Sequence, residues 1–492
     1  MKQLARFLFF TLLLPLITGA STYAELEERV VEHELENGMR FLIFERHDAP
    51  LVSMVISVKA GAANEVTNKT GVAHFLEHLA FKGTKNLGTT DYDAEKDALA
   101  ELDKTFEAWF QASQAGAESA VLDRLYADFI EKQDEAFSYI VEGEIGKLYE
   151  GNGGTSVNAA TSYDYTTYQV TLPSNRFKLW CAVESDRMAN PVFRELYRER
   201  NVILEERRKG TDNSPTGLFW EEFNCAAYKA HPYGRPIIGH YSDMENLSRE
   251  TVRDFYETFY VPQHMTAGIA GDVNAEEIIP LLDAYFGRIQ TKPDPPEIIT
   301  TEPEQPGIRR VEVKLAKTPI TVVKFLTVPR AHPDEIPLDL LATILGGGQT
   351  SRLHRALVEK RKLATYVSAY HPTRRHGGYF QVYARPVEGV TPGELEVAVL
   401  EELRKIKDNP VNTSELEAAR ARIQIGIFDA FSNNLRLARN LALADQQPDG
   451  WRNTFRRLEQ ASLITPDDLT DVAGRYLDFD KRTVGLMEVT DD

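Results

Sequence analysis

Cysteine is nearly absent. Cys181 and Cys225 are the only two in 492 residues, which excludes a cysteine metal site by number and leaves room for at most one disulfide. Cys181 sits in the run Phe177-Lys178-Leu179-Trp180-Cys181-Ala182-Val183, where a buried free thiol is the ordinary outcome. Positive charge is also in deficit: 56 Lys and Arg stand against 74 Asp and Glu, a formal net charge of −18. With no basic patch evident, a nucleic-acid surface is excluded, while neutral or basic peptides are permitted as ligands. Nowhere beyond the N-terminus does an apolar stretch approach the roughly 18 residues of a membrane span.

The N-terminus has the parts of a secretory signal over residues 1–24. Lys2 and Arg6 form its basic end, Phe7 to Ile17 its apolar core, and Gly19, Ala20, Ser21 and Ala24 its small-residue region, with cleavage after Ala20 or Ala24. The apolar core is too short to span comfortably, and no cysteine lies nearby to take a lipid. The product is therefore expected beyond the cytoplasmic membrane without a stable membrane anchor, and in the periplasm if the source is Gram-negative. The remaining chain of about 465 residues exceeds what one core usually holds, so two or more domains are expected.

Histidine is scarce too, with 11 in the chain, yet two of them fall in His74-Phe75-Leu76-Glu77-His78, inside an apolar-periodic run from Gly71 to Phe81. Positions four apart share one face of a helix, so both imidazoles reach one metal ion while Glu77 stands beside them. The order H-x-x-E-H inverts the common zinc-protease string H-E-x-x-H. A catalytic zinc needs three protein ligands and an open fourth position, so a carboxylate must come from elsewhere. The helical stretch from Tyr197 to Arg208 offers Glu199 and Glu206, seven apart on one face, with Glu205 turned away by about 100°. Taken by its residues alone, this charge run is more often a solvated face and does not single out Glu206.

Three segments together resemble the insulinase, pitrilysin and mitochondrial processing peptidase family, over nearly the whole mature chain. Gly71 to Thr84 (GVAHFLEHLAFKGT) is similar to its metal helix, Asn158-Ala159-Ala160-Thr161-Ser162 to its substrate-binding edge strand, and Glu199 to Glu206 to the helix that supplies its third ligand. The resemblance implies one zinc ion per chain held by His74, His78 and Glu206, with Glu77 as base and Glu199 as a supporting carboxylate. It implies that Asn158 and Ala159 hold an extended peptide as an added β-strand. It also implies an α+β fold of two homologous domains, each a mainly antiparallel sheet with packed helices, forming half of a clamshell.

One departure is large. The family's third ligand follows the second histidine after roughly 75 residues, whereas 127 residues separate His78 from Glu206, so about 50 are extra. Their composition predicts a helical insertion over about 93–150, with helices over Glu95 to Ala112 and Glu118 to Tyr149 and a break near Gln114-Ala115-Gly116.

A faint repeat runs through the chain. A hairpin around Asn37-Gly38 and a strand from Leu51 to Lys59 precede the metal helix; strands Val311 to Ala316 and Ile320 to Val328 precede the helix Leu338 to Leu345, which has no histidine. Strands Thr365 to Tyr370 and Tyr379 to Ala384 then match Ser156 to Ala160 and Thr166 to Leu172. Residues 290–307 (QTKPDPPEIITTEPEQPG) read as a linker between a metal-bearing domain, 25–289, and a homologous metal-free one, 308–492. The glycine-rich Gly346 to Ser351 lacks the ending of a P-loop.

Many catalytic family members carry an Arg and a Tyr in the metal-free domain that help hold substrate and the developing oxyanion. The matching stretch, Leu357 to Tyr366, has Val358 and Thr365 at those positions. The expected function is a zinc-dependent endopeptidase acting on extended or unfolded peptides, in a heterodimer whose homologous second subunit supplies Arg and Tyr, or in a homodimer. The competing readings are a non-catalytic or weakly active subunit of a heteromeric peptidase and a zinc hydrolase with another substrate.

Overall fold

A computed structural model describes residues 25–316 and 318–489; the expected signal segment lies outside the described residues. Eleven described strands form two sheets. Strands β1 (Val30–Glu34), β2 (Arg40–Glu45), β3 (Leu51–Val58), β4 (Thr155–Thr161), β5 (Thr166–Pro173) and β6 (Met265–Gly271) are ordered β1-β2-β6-β3-β5-β4. Strands β7 (Arg309–Ala316), β8 (Ile320–Thr327), β9 (Ala364–Tyr370), β10 (Gly378–Pro386) and β11 (Thr483–Val489) are ordered β7-β11-β8-β10-β9. The pairs β2–β6 and β7–β11 are parallel, and every other pairing is antiparallel. Setting β1 aside, the two sheets have the same order and strand directions, so the faint sequence repeat is a topological repeat.

Local chemistry explains the elements. Gly38, at φ +84°, closes the β1–β2 hairpin, and Asn37 Oδ1 accepts from Met39 N across the turn. β3, alternately facing two packed layers, is apolar along nearly its whole length and buried from Val52 to Val58. Eight helices position the site: α1 (Val72–Leu79), α2 (Tyr92–Gln114), α3 (Ser119–Phe137), α4 (Leu196–Arg207), α5 (Pro215–Ala227), α6 (Glu335–Gly346), α7 (Thr413–Phe431) and α8 (Asn434–Asp445).

The inserted residues form the hairpin α2–α3, with its turn at 115–118 as expected. The second helix does not continue to Tyr149. It stops at Phe137, because the chain turns back to pair with 88–90: Thr90 N donates to Tyr139 O and Val141 N to Gly88 O. Helix resumes over Glu144–Gly151, after Gly143 at φ +67°. The N-terminal half of α2 is anchored in the first core through Ala98, Leu99, Leu102 and Phe106. Glu95 and Arg194, both 0% exposed, form a bidentate pair at 2.6 and 2.8 Å. Arg194 also donates to the carbonyls of Lys82, Thr84 and Leu87, tying α2 to the loop that follows α1.

Each half lends a helix to the other. α8, from the second half, lies on the first sheet, where Leu437, Ala438 and Leu441 meet Leu42, Phe44, Val55 and Ala270. The approach is close enough that a Cβ on Gly268 of β6 would stand 1.9 Å from the Ala438 carbonyl oxygen. In return α5, from the first half, packs Phe219 and Phe223 on Ile320, Val322 and Met487 of the second sheet. Between the halves, residues 291–306 form neither helix nor strand, but the segment is pinned: Glu302 accepts from the backbone N–H groups of Lys229, Ala230 and His231 at 2.7–3.0 Å.

Candidate metal centre

The H-x-x-E-H string folds as α1, a helix of eight residues. Its N-terminus is fixed by a buried carboxylate: Glu65 accepts from Gly71 N and Ala73 N, each at 2.9 Å, taking up two of the helix's orphan donors. Burial pushes the Glu65 carboxyl up to about 8, against the pull of these hydrogen bonds. Gly71, at φ +87°, is required, since a Cβ there would meet Met244 Sδ at 2.4 Å. Val72, Phe75, Leu76 and Leu79 enter the first core, leaving His74 and His78 on the face turned toward α4.

The two rings lie 4.8 Å apart, edge to face. Glu206, near the end of α4, completes a triangle. Its Oε1 is 3.9 Å from His74 Nε2 and its Oε2 is 3.7 Å from His78 Nε2, and one donor atom from each of the three residues falls within 4.8 Å of the others. Glu205 is turned away, its carboxylate held by Arg208 at 2.7 Å and Lys209 at 3.2 Å. Two imidazoles and one carboxylate are the donor set of a catalytic zinc site with a position left open, and these three groups fit such an ion.

Protonation supports the fit. Burial, with His78 adding to it, pulls the His74 imidazole down to about 4, so its ring is neutral and a nitrogen lone pair is free to ligate. For His78, burial pulls downward but is outweighed by the hydrogen bond to Glu199 and by the charges of Glu206 and Glu77, and the net shift is upward. His78 Nδ1 lies 3.3 Å from Glu199 Oε2; with the proton placed there, Nε2 faces Glu206 with its lone pair. Glu199 is itself held by Lys82 Nζ at 2.5 Å. Burial raises the Glu199 carboxyl, and the hydrogen bonds from His78 and Lys82 reverse that to a net lowering. His74 Nδ1 is buried without a partner among the described residues, so His78 alone of the two is oriented from behind.

Glu77 is 8% exposed and faces β4, where the Thr161 hydroxyl donates to its Oε2 at 2.6 Å. Burial raises its carboxyl, partly offset by Thr161 and His78. β4 is an edge strand of the first sheet, at the end opposite β1, and packs on α1. Asn158, opposite Gln169, is exposed, and Ala159, opposite Tyr168, is half-buried. All seven residues singled out in the sequence therefore fall on three adjoining elements, α1, α4 and β4. Sequence reading missed the roles of Lys82 and Thr161. Lys82 follows His78 by one helical turn, a spacing that places it beside the same neighbours; Thr161 gave no comparable signal.

The two positions at which the family resemblance implies an Arg and a Tyr lie in the second half of the chain. Val358 is half-buried against the second core, and Thr365, on β9, is exposed with its hydroxyl donating to Arg385 O. Tyr366 is 49% exposed, with its ring 6.0 Å from Tyr383. Both cysteines are free thiols, buried at 181 and half-buried at 225.

Comparison with known proteins bears on the family and the fold. The model of the insulinase family (peptidase family M16) matches residues 40–108 and 141–240, and that of the peptidase M16 inactive domain matches residues 246–423. The first match is interrupted over 109–140, which takes in the end of α2 and all of α3. The chain is 27% identical over 434 residues, 86% of its length and 84% of the relative's, to a protein named zinc protease PqqE from Helicobacter pylori (strain ATCC 700392 / 26695). A crystal structure of a protease from Helicobacter pylori superposes with a TM-score of 0.78 at 24% identity, covering 93% of this chain and 99% of that one. The periplasmic protease PqqL from Escherichia coli superposes with a TM-score of 0.71 at 17% identity, covering 94% of this chain but 48% of that one. The repeated α+β sheets and the two family models that between them cover both halves place this chain in the insulinase family, peptidase family M16.

Proposed function

We propose that this protein is a zinc-dependent endopeptidase that hydrolyses extended or unfolded peptides, with His74, His78 and Glu206 holding one zinc ion and Glu77 acting as base. The observation that carries the reading is the convergence of three donor atoms within 4.8 Å beside a buried carboxylate that is not one of them. A zinc ion in that position supplies a Lewis acid that polarises the scissile carbonyl and brings the pKa of a water toward neutrality. The chain's own residues do the rest. Glu77, its carboxyl raised by burial, takes the proton of the attacking water and delivers it to the departing amide nitrogen. Thr161 fixes the Glu77 carboxylate for that exchange, and Glu199, gripped by Lys82, orients His78. The free edge of β4 at Asn158 and Ala159 adds the substrate as a strand, which requires an extended backbone.

The same reading divides the chain into a leader (1–24), a metal-bearing half (25–289), a linker (290–307) and a second half (308–492), exported to the periplasm if the source is Gram-negative. Export is supported by the signal-like N-terminus and by likeness to a periplasmic protease; among the described residues no helix is long and apolar enough to cross a membrane. Zinc content together with cleavage of an unstructured fluorogenic peptide tests the assignment. Zinc with cleavage supports it; zinc without cleavage favours a non-catalytic subunit; no zinc overturns it.

Val358 and Thr365 favour one qualification, that the isolated chain is slow and works with a homologous partner supplying Arg and Tyr. Losing one preorganised oxyanion donor costs about 2.7–4 kcal/mol. Matching 48% of a longer protease is consistent with a chain that forms half of an assembly. Co-expression with a homologue that lacks H-x-x-E-H is expected to raise activity; full activity from the isolated chain, unchanged by any such partner, rules this out.

A further inference from the structure

The repeat makes the second half a control for the first. α1 and α6 each follow the central antiparallel strand of their sheet, and α4 and α7 are each among the helices packed against them. In the first half the cleft between these helices gathers His74, His78 and Glu206, the donors for a cation. In the second half the corresponding place is a cavity of about 150 Å³ between the end of α6, the glycine-rich loop and α7. Its lining includes two guanidinium groups, Arg355 and Arg422, the hydroxyls of Thr343, Thr350 and Ser351, and one carboxylate, Glu415.

Three observations indicate a ligand of negative charge. First, neither Arg355 nor Arg422 has a carboxylate within ion-pair distance among the described residues. The one acid in the lining, Glu415, is bonded by Arg352 at 2.6 and 2.7 Å and by Asn412 N, and Arg355 acts on it only by its charge, from beyond ion-pair distance. Second, Ser351 is 4% exposed, lines the cavity, and has a buried hydroxyl with no hydrogen-bond partner, which is a cost unless something there accepts from it. Third, the glycines make room for the cation. A Cβ on Gly347 would stand 3.0 Å from Arg422 Nη1, and Gly348, at φ +107°, has its own Cβ position 3.4 Å from the same atom. Arg422 Nη2 is meanwhile aimed by its 2.7 Å bond to Thr350 Oγ1. Cavities of this order accept a benzene-sized molecule.

We propose that this cavity binds a small oxyanion, either free phosphate or the carboxylate at the C-terminus of a peptide, between Arg355 and Arg422, with the Ser351 hydroxyl donating to it. The glycine-rich loop thus serves anion binding without the lysine or the fold of a P-loop. Paired guanidinium groups suit planar or tetrahedral oxyanions because several N–H donors can address one ligand.

Calorimetric titration of the full chain at fixed ionic strength tests this, using inorganic phosphate, N-acetylglycine and N-acetylglycinamide as probes. Phosphate or N-acetylglycine is expected to bind and the amide not to. Tighter phosphate identifies the free ion as the source, and tighter N-acetylglycine identifies a peptide C-terminus. Arg422→Gln and Arg355→Gln are each expected to weaken binding at least about tenfold, and Arg422→Lys to recover part of the loss. Arg355 is exposed, so its variant keeps the test open if Arg422→Gln does not fold. No binding of either anion, or anion binding unchanged in the Arg355 variant, overturns the proposal. Because the readout is binding, that outcome leaves the peptidase reading untouched.

Discussion

Replacing Glu95 by glutamine removes one charge from a pair that has no access to water. Arg194 would keep its acceptors at Lys82, Thr84 and Leu87 but lose the only carboxylate bonded to it among the described residues. Breaking a buried pair from one side costs about 3–5 kcal/mol, a large fraction of the roughly 5–15 kcal/mol that holds an ordinary domain. Arg194→Met is worse on two counts, since it strands the Glu95 carboxylate and takes the Arg194 donors from the carbonyls of Lys82 and Thr84, at about 1–3 kcal/mol for each that stays buried, while the Leu87 carbonyl keeps its bond from Thr84 N. A stranded carboxylate can relieve itself by taking a proton, so this variant should lose more stability at high pH than at low pH. The double variant Glu95→Gln/Arg194→Met leaves no buried charge and should lose at least about 2 kcal/mol less than the sum of the singles. Urea unfolding followed by tryptophan fluorescence and circular dichroism measures all three. Singles that add to within about 0.5 kcal/mol, or an Arg194→Met less damaging than Glu95→Gln, would refute the claim that this pair and its carbonyl network fasten the insertion.

Glu77→Gln should lower peptide hydrolysis by about a hundredfold or more while zinc content stays at the wild-type level; a variant keeping over about a tenth of turnover removes Glu77 from the role of base. Chelator competition should rank Glu206→Gln as losing zinc most readily, Glu199→Gln and Lys82→Met as weakened by about 10–100-fold, and Glu205→Gln as near wild type; a large loss at 205 with none at 206 contradicts the assignment. His231, 5% exposed with Nε2 unpartnered, has its ring pulled down to about 4, chiefly by burial. The unfolded chain takes up that proton below about 6.5 and the folded chain only near 4, so stability is lost as pH falls through this window. His231→Asn should flatten the fall in urea midpoint between about pH 7 and pH 5, and an equal fall in both proteins would count against this.

Much of the fold is written locally. The period-two pattern and Asn37-Gly38 place β1 to β3, and the same patterning places β7 to β10 within a residue or two. Of the candidate metal centre, His74, Glu77 and His78 are legible from helical spacing, where sequence distance translates directly into a shared face, whereas Glu206 is singled out only by the family resemblance. Partnership between distant elements is not legible. Phe219 and Phe223, four apart, say that α5 has a buried face and nothing about which sheet it covers. Arg194 reads as one more charge in a charged stretch, and only the fold reveals it as fully buried. The stop at Phe137 depends on pairing with residues 88–90, a contact outside any helical window.

The exchange of helices between halves has a consequence for how this protein is made. The last strand of the first sheet ends at Gly271, while the helix that covers that sheet begins at Asn434, 163 residues later. At about 5–20 residues per second, a ribosome needs roughly 8–33 seconds to cross that interval. Throughout it, Leu42, Phe44, Val55 and Ala270 have no cover, and the sheet is a sticky surface on a nascent chain. The first half therefore cannot finish folding as it emerges. It waits for the C-terminus, and a chain cut anywhere before residue 434 is an aggregation hazard rather than a smaller enzyme.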